Sequence, residues 1–156
     1  MIQDAINLAE ISLIKPFEGY AKRLPNGDCQ AYPDPGTKGS PWTIGWGSTG
    51  PNIDSSTIWV LAQAQTALDA HLLYFTTALL KLSPALMSAT DRRLAALISF
   101  CYNCGLGNYR ISTLKRRVDI KDWDAAATEI LKWNKAAGRI LPGLTKRRTA
   151  EALLLR

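Results

Sequence analysis

A chain of 156 residues with 47% hydrophobic and 21% charged residues has the balance of one soluble globular domain. Its formal net charge of +6 favours an anionic partner, whether nucleic acid, a membrane surface or a wall bearing carboxylates and phosphates, without choosing among them. Three cysteines, Cys29, Cys101 and Cys104, are an odd count that excludes a disulfide scaffold, and the apolar run from Leu72 to Leu82 is too broken by Thr76, Thr77 and Lys81 to span a bilayer.

Ile2, Ala5, Ile6, Ala9 and Leu13 approximate the i, i+3, i+4 stripe of an amphipathic helix over residues 3–14. Pro16 is expected to distort or end that helix just before Glu18, leaving the glutamate at a helix-to-loop junction. The same stretch carries Asp4 and Glu10 and has no basic n-region, which argues against a signal peptide. From Gly19 to Gly50 the density of Gly, Pro, Asn and Asp rules out helix. Short strands with tight turns at Asn26-Gly27 and around Pro35-Gly36 are expected instead, in a small β-rich lobe over residues 17–55. Helical periodicity resumes at Leu61 and holds to Lys81, through Ala64, Ala67, Leu68, Leu72, Phe75 and Leu79, until Ser83-Pro84 closes it. Such a helix is roughly 30 Å long and could join two lobes.

The remainder, residues 84–156, reads as a helical lobe. Thr90 or Asp91 caps a helix carrying Leu94, Ala95, Leu97, Ile98, Cys101 and Tyr102, with Gly105 and Gly107 as its stop. A short segment follows over Ser112 to Val118. Asp122 caps a helix over Trp123, Ala126, Ala127, Ile130 and Leu131, and the last helix begins after Pro142-Gly143 and runs to Leu155. Cys101 and Cys104 have CxxC spacing but sit in an apolar helical run. With His71 as the single histidine no tetrahedral metal set is visible, so the pair reads as small buried apolar residues. Cys29 is expected to be a free, partly exposed thiol.

The chemistry concentrates between Phe17 and Gly50. Glu18 ends an apolar helical run, Asp34 lies in a Pro/Gly-rich turn, and Thr43 opens the β-like run Thr43-Ile44-Gly45-Trp46-Gly47. Two carboxylates and a hydroxyl on different local structures can converge on one small volume. Cleaving a glycosidic bond needs such a set: an acid for the leaving oxygen, a base for water, and a group to hold that water. Read without that convergence, they are a surface glutamate, a turn aspartate and a strand threonine.

The order E-G, then Y-x-D, then W-T-I-G-W-G-x-T resembles the active-site segment of the phage-type lysozymes, the endolysin muramidases. SFCYNCGLGNYRISTLKRRV, DWDAAATEILKWNKAAGRILPGL and TKRRTAEALL resemble their helical lobe in the same order. The resemblance implies an α+β, mostly helical lysozyme-like fold, with the small β-rich lobe and the helical lobe joined by the long helix and the substrate cleft between them. It implies hydrolysis of the β-1,4 bond between N-acetylmuramic acid and N-acetylglucosamine, with inversion. In that scheme Glu18 is the catalytic acid, Asp34 the second catalytic carboxylate and Thr43 the hydroxyl that positions water. Asn103 matches a cleft residue and Arg148 an arginine that pairs with the catalytic glutamate, with Arg147 as the alternative. Tyr32 is expected to stack on sugar rings, as could Trp42 and Trp46 if they are not core.

Two features depart from the family pattern: a longer turn between Asp34 and Thr43, and Ser48 where many members have histidine. The partner implied is bacterial peptidoglycan, met by a monomer without metal or cofactor. Transient contact with an anionic membrane or outer envelope is compatible with the charge. With no signal peptide seen, synthesis in the host bacterial cytoplasm is expected, with action on the wall after membrane permeabilisation. Two rivals rest mainly on charge. One is a basic membrane-disrupting antimicrobial protein working through residues 144–156 with the lysozyme-like fold inactive. The other is a nucleic-acid-binding domain using Lys115-Arg116-Arg117 and Lys146-Arg147-Arg148, for which no nucleic-acid motif is present.

Overall fold

The computed structural model describes residues 2–34 and 37–156, so the turn expected at Pro35-Gly36 lies outside the described residues. The chain divides into two compact units, Met1–Phe17 with Leu72–Arg156, and Glu18–His71. The helix Leu61–Leu82 contains the division, one residue longer than its periodicity indicated. Among the described residues no helix is long and apolar enough to cross a membrane.

In the larger unit the N-terminal stripe buries Ala5, Ile6, Ala9 and Leu13, as its spacing requires, with Ile14 buried beside them, while Ile2 at its start is exposed. The helix does not stop at Pro16. It runs as α-helix Ile2–Ala9, a π-helical turn Glu10–Ile14, and a final α-helical turn Lys15–Glu18 that includes the proline. Proline's ring presses on the carbonyl four residues back, and the wider π turn relaxes the ladder at that place. The distortion expected at Pro16 therefore falls one turn earlier, and Glu18 is the last helical residue.

The helix Asp91–Cys104 is the centre of this unit. Every residue from Leu94 to Cys101 is buried, and the helix packs against both Ile2–Ala9 and Pro142–Leu155. Thr90 is its N-cap, its side chain accepting from the Arg93 N–H. Gly105, at φ +85°, ends it. Gly107, expected as part of the stop, instead lies inside the next helix, Leu106–Ile111, because the left-handed residue alone turns the chain and a glycine in helical φ does not. Thr113–Asp119 and Trp123–Ile130 follow, capped by Ser112 and Asp122. The helix Leu106–Ile111, the 3-10 turn Pro84–Ser88 and the hairpin Lys135–Ala136 with Arg139–Ile140 were not foreseen in sequence.

The smaller unit holds two sheets. Cys29–Gln30 pairs antiparallel with Ile58–Trp59, and Tyr32–Pro33, Trp42–Ile44 and Ser48–Thr49 form a three-stranded antiparallel sheet. Asn26-Gly27 makes the expected turn, with Gly27 at φ +92°. The core of this unit includes Ala31, Ile44, Trp46, Ala64 and Leu68. Trp46 is core, its ring 4.8 Å from that of Tyr20. Cys29, expected to be partly exposed, is wholly buried, because it opens a strand whose partner is Trp59. Gly45 cannot be replaced freely: its φ is +62°, and a Cβ there would stand 3.1 Å from the Ala64 Cβ.

Candidate active site

The strand register decides which side chains share a face. Tyr32 lies directly opposite Thr43, and Thr43 opposite Thr49. Directly paired residues project to the same side of a sheet, and alternate residues along a strand return to that side. Tyr32, Thr43 and Thr49 therefore form one face, which is half-buried to exposed, and half-buried Asp34 follows just past the end of the strand Tyr32–Pro33. The other face carries Ile44 and Ser48, both buried. Ser48, where many phage-type lysozymes have histidine, is thus an inward residue of the small sheet.

Asp34 opens a closed loop. Its backbone N–H donates to the Gly39 carbonyl at 3.0 Å, its carbonyl accepts the Lys38 N–H at 2.8 Å, and its Oδ1 accepts the Thr37 N–H at 3.0 Å. Thr37 in turn donates its hydroxyl to the Ser40 carbonyl at 2.8 Å. The longer Asp34–Thr43 connection thus makes backbone and side-chain bonds that fix where the aspartate begins. Glu18 ends the N-terminal helix and is half-buried. Its charge is felt at Tyr32: burial first, and the Glu18 carboxylate second, hold the Tyr32 phenol above its usual range. Glu18, Tyr32, Asp34 and Thr43 all belong to the smaller unit, so three supporting structures, a helix end, a looped turn and a strand, supply its acidic and hydroxyl groups.

Asn103 and Arg148 belong to the larger unit. Asn103 is exposed rather than buried and lines a cavity of about 470 Å³ with Cys104, Asn108, Trp133, Lys135 and Leu144. Arg148 is 0% exposed. Its Nε stands 2.7 Å from Glu151 Oε2 as an ion pair, its Nη2 donates to Glu151 Oε1 at 2.9 Å, and its Nη1 lies 2.8 Å from the Cys104 sulfur. Burial pushes the Glu151 carboxyl above the usual carboxylate range, while Arg148, Ser99 and Arg147 push it back. Burial also raises the Cys104 thiol, with Arg148 opposing. Cys101 is buried, as its apolar reading expected, whereas Cys104 is only half-buried and takes the Arg148 contact, so that reading does not hold for it. No cluster able to hold a metal ion occurs among the described residues.

Sequence reasoning passed over Glu151, Ser99, Trp133 and Lys135. The signal for Glu151 was present as R-R-x-x-E, an i, i+3 and i, i+4 spacing that lays one carboxylate beside both arginines. Trp133 and Lys135 gave no such signal, because the hairpin that presents them was not visible.

The family model for phage lysozyme matches residues 17–151. The chain belongs to the phage lysozyme family. It is 34% identical over 149 residues to the endolysin of Bacillus phage B103, a match that covers 96% of this chain but 53% of that protein. It is also 33% identical to the endolysin of Acyrthosiphon pisum secondary endosymbiont phage 1, covering 91% of each. The chain therefore spans about half the length of the Bacillus phage relative and nearly all of the second. Among solved structures, the muramidase domain of SpmX from Asticaccaulis excentricus superposes with a TM-score of 0.76 at 28% identity, over 99% of this chain and 97% of that one. These matches establish the lysozyme-like α+β fold that the motif order implied.

Proposed function

We propose that this phage lysozyme family member hydrolyses bacterial peptidoglycan at the β-1,4 bond between N-acetylmuramic acid and N-acetylglucosamine. Glu18 protonates the leaving oxygen, and Asp34 and Thr43 hold and activate the water. The observation that supports the reading is the register Tyr32↔Thr43, which pairs these two residues across neighbouring strands, while the Glu18 charge acts on that same Tyr32. An acid and a second carboxylate on separate backbone elements can be held far enough apart to leave a water between them. Inversion asks for carboxyl groups about 6.5–9.5 Å apart, against about 5–5.5 Å for retention. In the smaller unit half-buried Tyr32 offers an aromatic surface for a pyranose, and in the larger unit exposed Asn103 is a substrate-binding amide. Arg148 is fully buried and pairs with Glu151, so its guanidinium is not offered to the sugar. The substrate is met by a monomer that uses neither metal nor cofactor.

Glu18→Gln keeps the shape and removes the transferable proton. Clearing of purified, membrane-free peptidoglycan should then fall by about two to four orders of magnitude with the fold intact. Clearing at the wild-type rate by a folded Glu18→Gln protein would overturn the reading, and killing of cells without clearing of walls would assign the activity to membranes instead.

A further inference from the structure

The larger unit buries a charged cluster that the proposed chemistry does not itself use. Glu151 and Arg148 are 0% exposed and Arg147 3%, with Ser99 at 0% beside them. Ser99 donates its hydroxyl to Glu151 Oε1 at 2.7 Å and accepts from Arg147 Nε at 3.3 Å, while Arg147 Nη2 donates to the Ser99 carbonyl at 3.3 Å. Arg147 Nε also lies 3.4 Å from Glu151 Oε1. Burying such a set is no cheaper than packing apolar groups of the same volume, so stability alone gives no reason for it. Geometry does. The held guanidinium of Arg147 lies 5.9 Å from the ring centroid of Phe17, within reach of a cation–π contact, and Phe17 is the residue before Glu18 in the last helical turn.

We propose that Ser99 and Glu151 form a clamp that fixes Arg147, and that Arg147, through the face of Phe17, fixes the helix end that presents Glu18. Ser99 and Glu151 are then positioning residues for wall hydrolysis, an inference that rests on the assignment of Glu18 as the acid. Arg148 completes the clamp by binding the far side of the carboxylate, so that Glu151 stays oriented toward its neighbour. An arginine left to itself samples many rotamers, and the clamp removes that freedom before substrate arrives. The clamp acts on orientation, so its loss should appear in kcat and leave KM near its wild-type value.

The test measures kcat and KM on purified peptidoglycan fragments for Ser99→Ala, Glu151→Gln, Phe17→Leu and the Glu151→Gln/Phe17→Leu double variant. Leu114→Ala, a core truncation in the helix Thr113–Asp119, serves as the stability control. Misplacing a catalytic group by a fraction of an ångström to an ångström should lower kcat by about ten- to a hundredfold in each clamp variant. The Glu151 and Phe17 losses should not add, since both break the same path. Leu114→Ala, assayed below its melting temperature, should keep wild-type kcat. If Glu151→Gln does not fold, Ser99→Ala with Phe17→Leu carries the comparison. Wild-type kcat in Ser99→Ala and Phe17→Leu, additive losses, or an equal loss in Leu114→Ala would overturn the clamp. Full activity in Glu18→Gln would instead remove the reading on which it rests, whatever the clamp variants do.

Discussion

Tyr20 shows how a single half-buried group makes a measurable claim. Burial first, and the neighbouring Cys29 thiol second, push its phenol up to about 12 from an ordinary value of 10.0. A group whose folded pKa lies above its unfolded one contributes stability that is whole below pH 10 and is lost as pH rises through about 12. The melting temperature of the wild type should therefore fall more steeply over that window than that of Tyr20→Phe, and tyrosinate absorbance should show one late-titrating phenol that the variant lacks. Parallel melting curves would show that Tyr20 is not so held. At Gly45 the claim is steric. Gly45→Ala forces an L residue to φ +62° with its Cβ 3.1 Å from Ala64, and should cost about 1–3 kcal/mol in denaturant titration. The order of residues around Glu18, Asp34 and Thr43 was legible because several short motifs stood in sequence. The burial of Cys29 and Arg148 was not, since burial depends on what folds over a residue: Trp59 pairs with the first and Glu151 with the second.

Elements with strong local signals were read correctly, and those set by tertiary context were not. Long apolar periodicity gave the helix Leu61–Leu82, and Asp122 and Thr90 marked two helix starts. Pro16 distorts the first helix rather than ending it, because a π turn ahead of it absorbs the strain, and Glu18 stands at the helix end as expected. The hairpin at residues 135–140 went unseen because its turn is Ala137-Gly138, with Ala137 at φ +47° and Gly138 at φ +75°, rather than the usual Asn-Gly. Ala137→Asn should relieve that strain and raise stability by roughly 0.5–1 kcal/mol. An unchanged or lower melting temperature would contradict the turn assignment. Ser112 makes the opposite case. Its hydroxyl accepts the Lys115 N–H at 3.0 Å and donates to the Tyr109 carbonyl at 2.7 Å, so Ser112→Ala should cost about 1–2 kcal/mol.

At the scale of the whole molecule, a net charge of +6 suits the anionic wall proposed as substrate. Initial rates of wall clearing should therefore fall as ionic strength rises, with little change in kcat on short soluble fragments. The central claim is narrower: a water held by Asp34 and Thr43 attacks as Glu18 protonates the leaving oxygen. It is tested most directly by the configuration of the first reducing end released from a muramyl glycan, read by NMR at early times before mutarotation. Inversion predicts the α configuration. A predominantly β first product, or a 1,6-anhydromuramic acid end, would contradict the role given to Asp34 and Thr43.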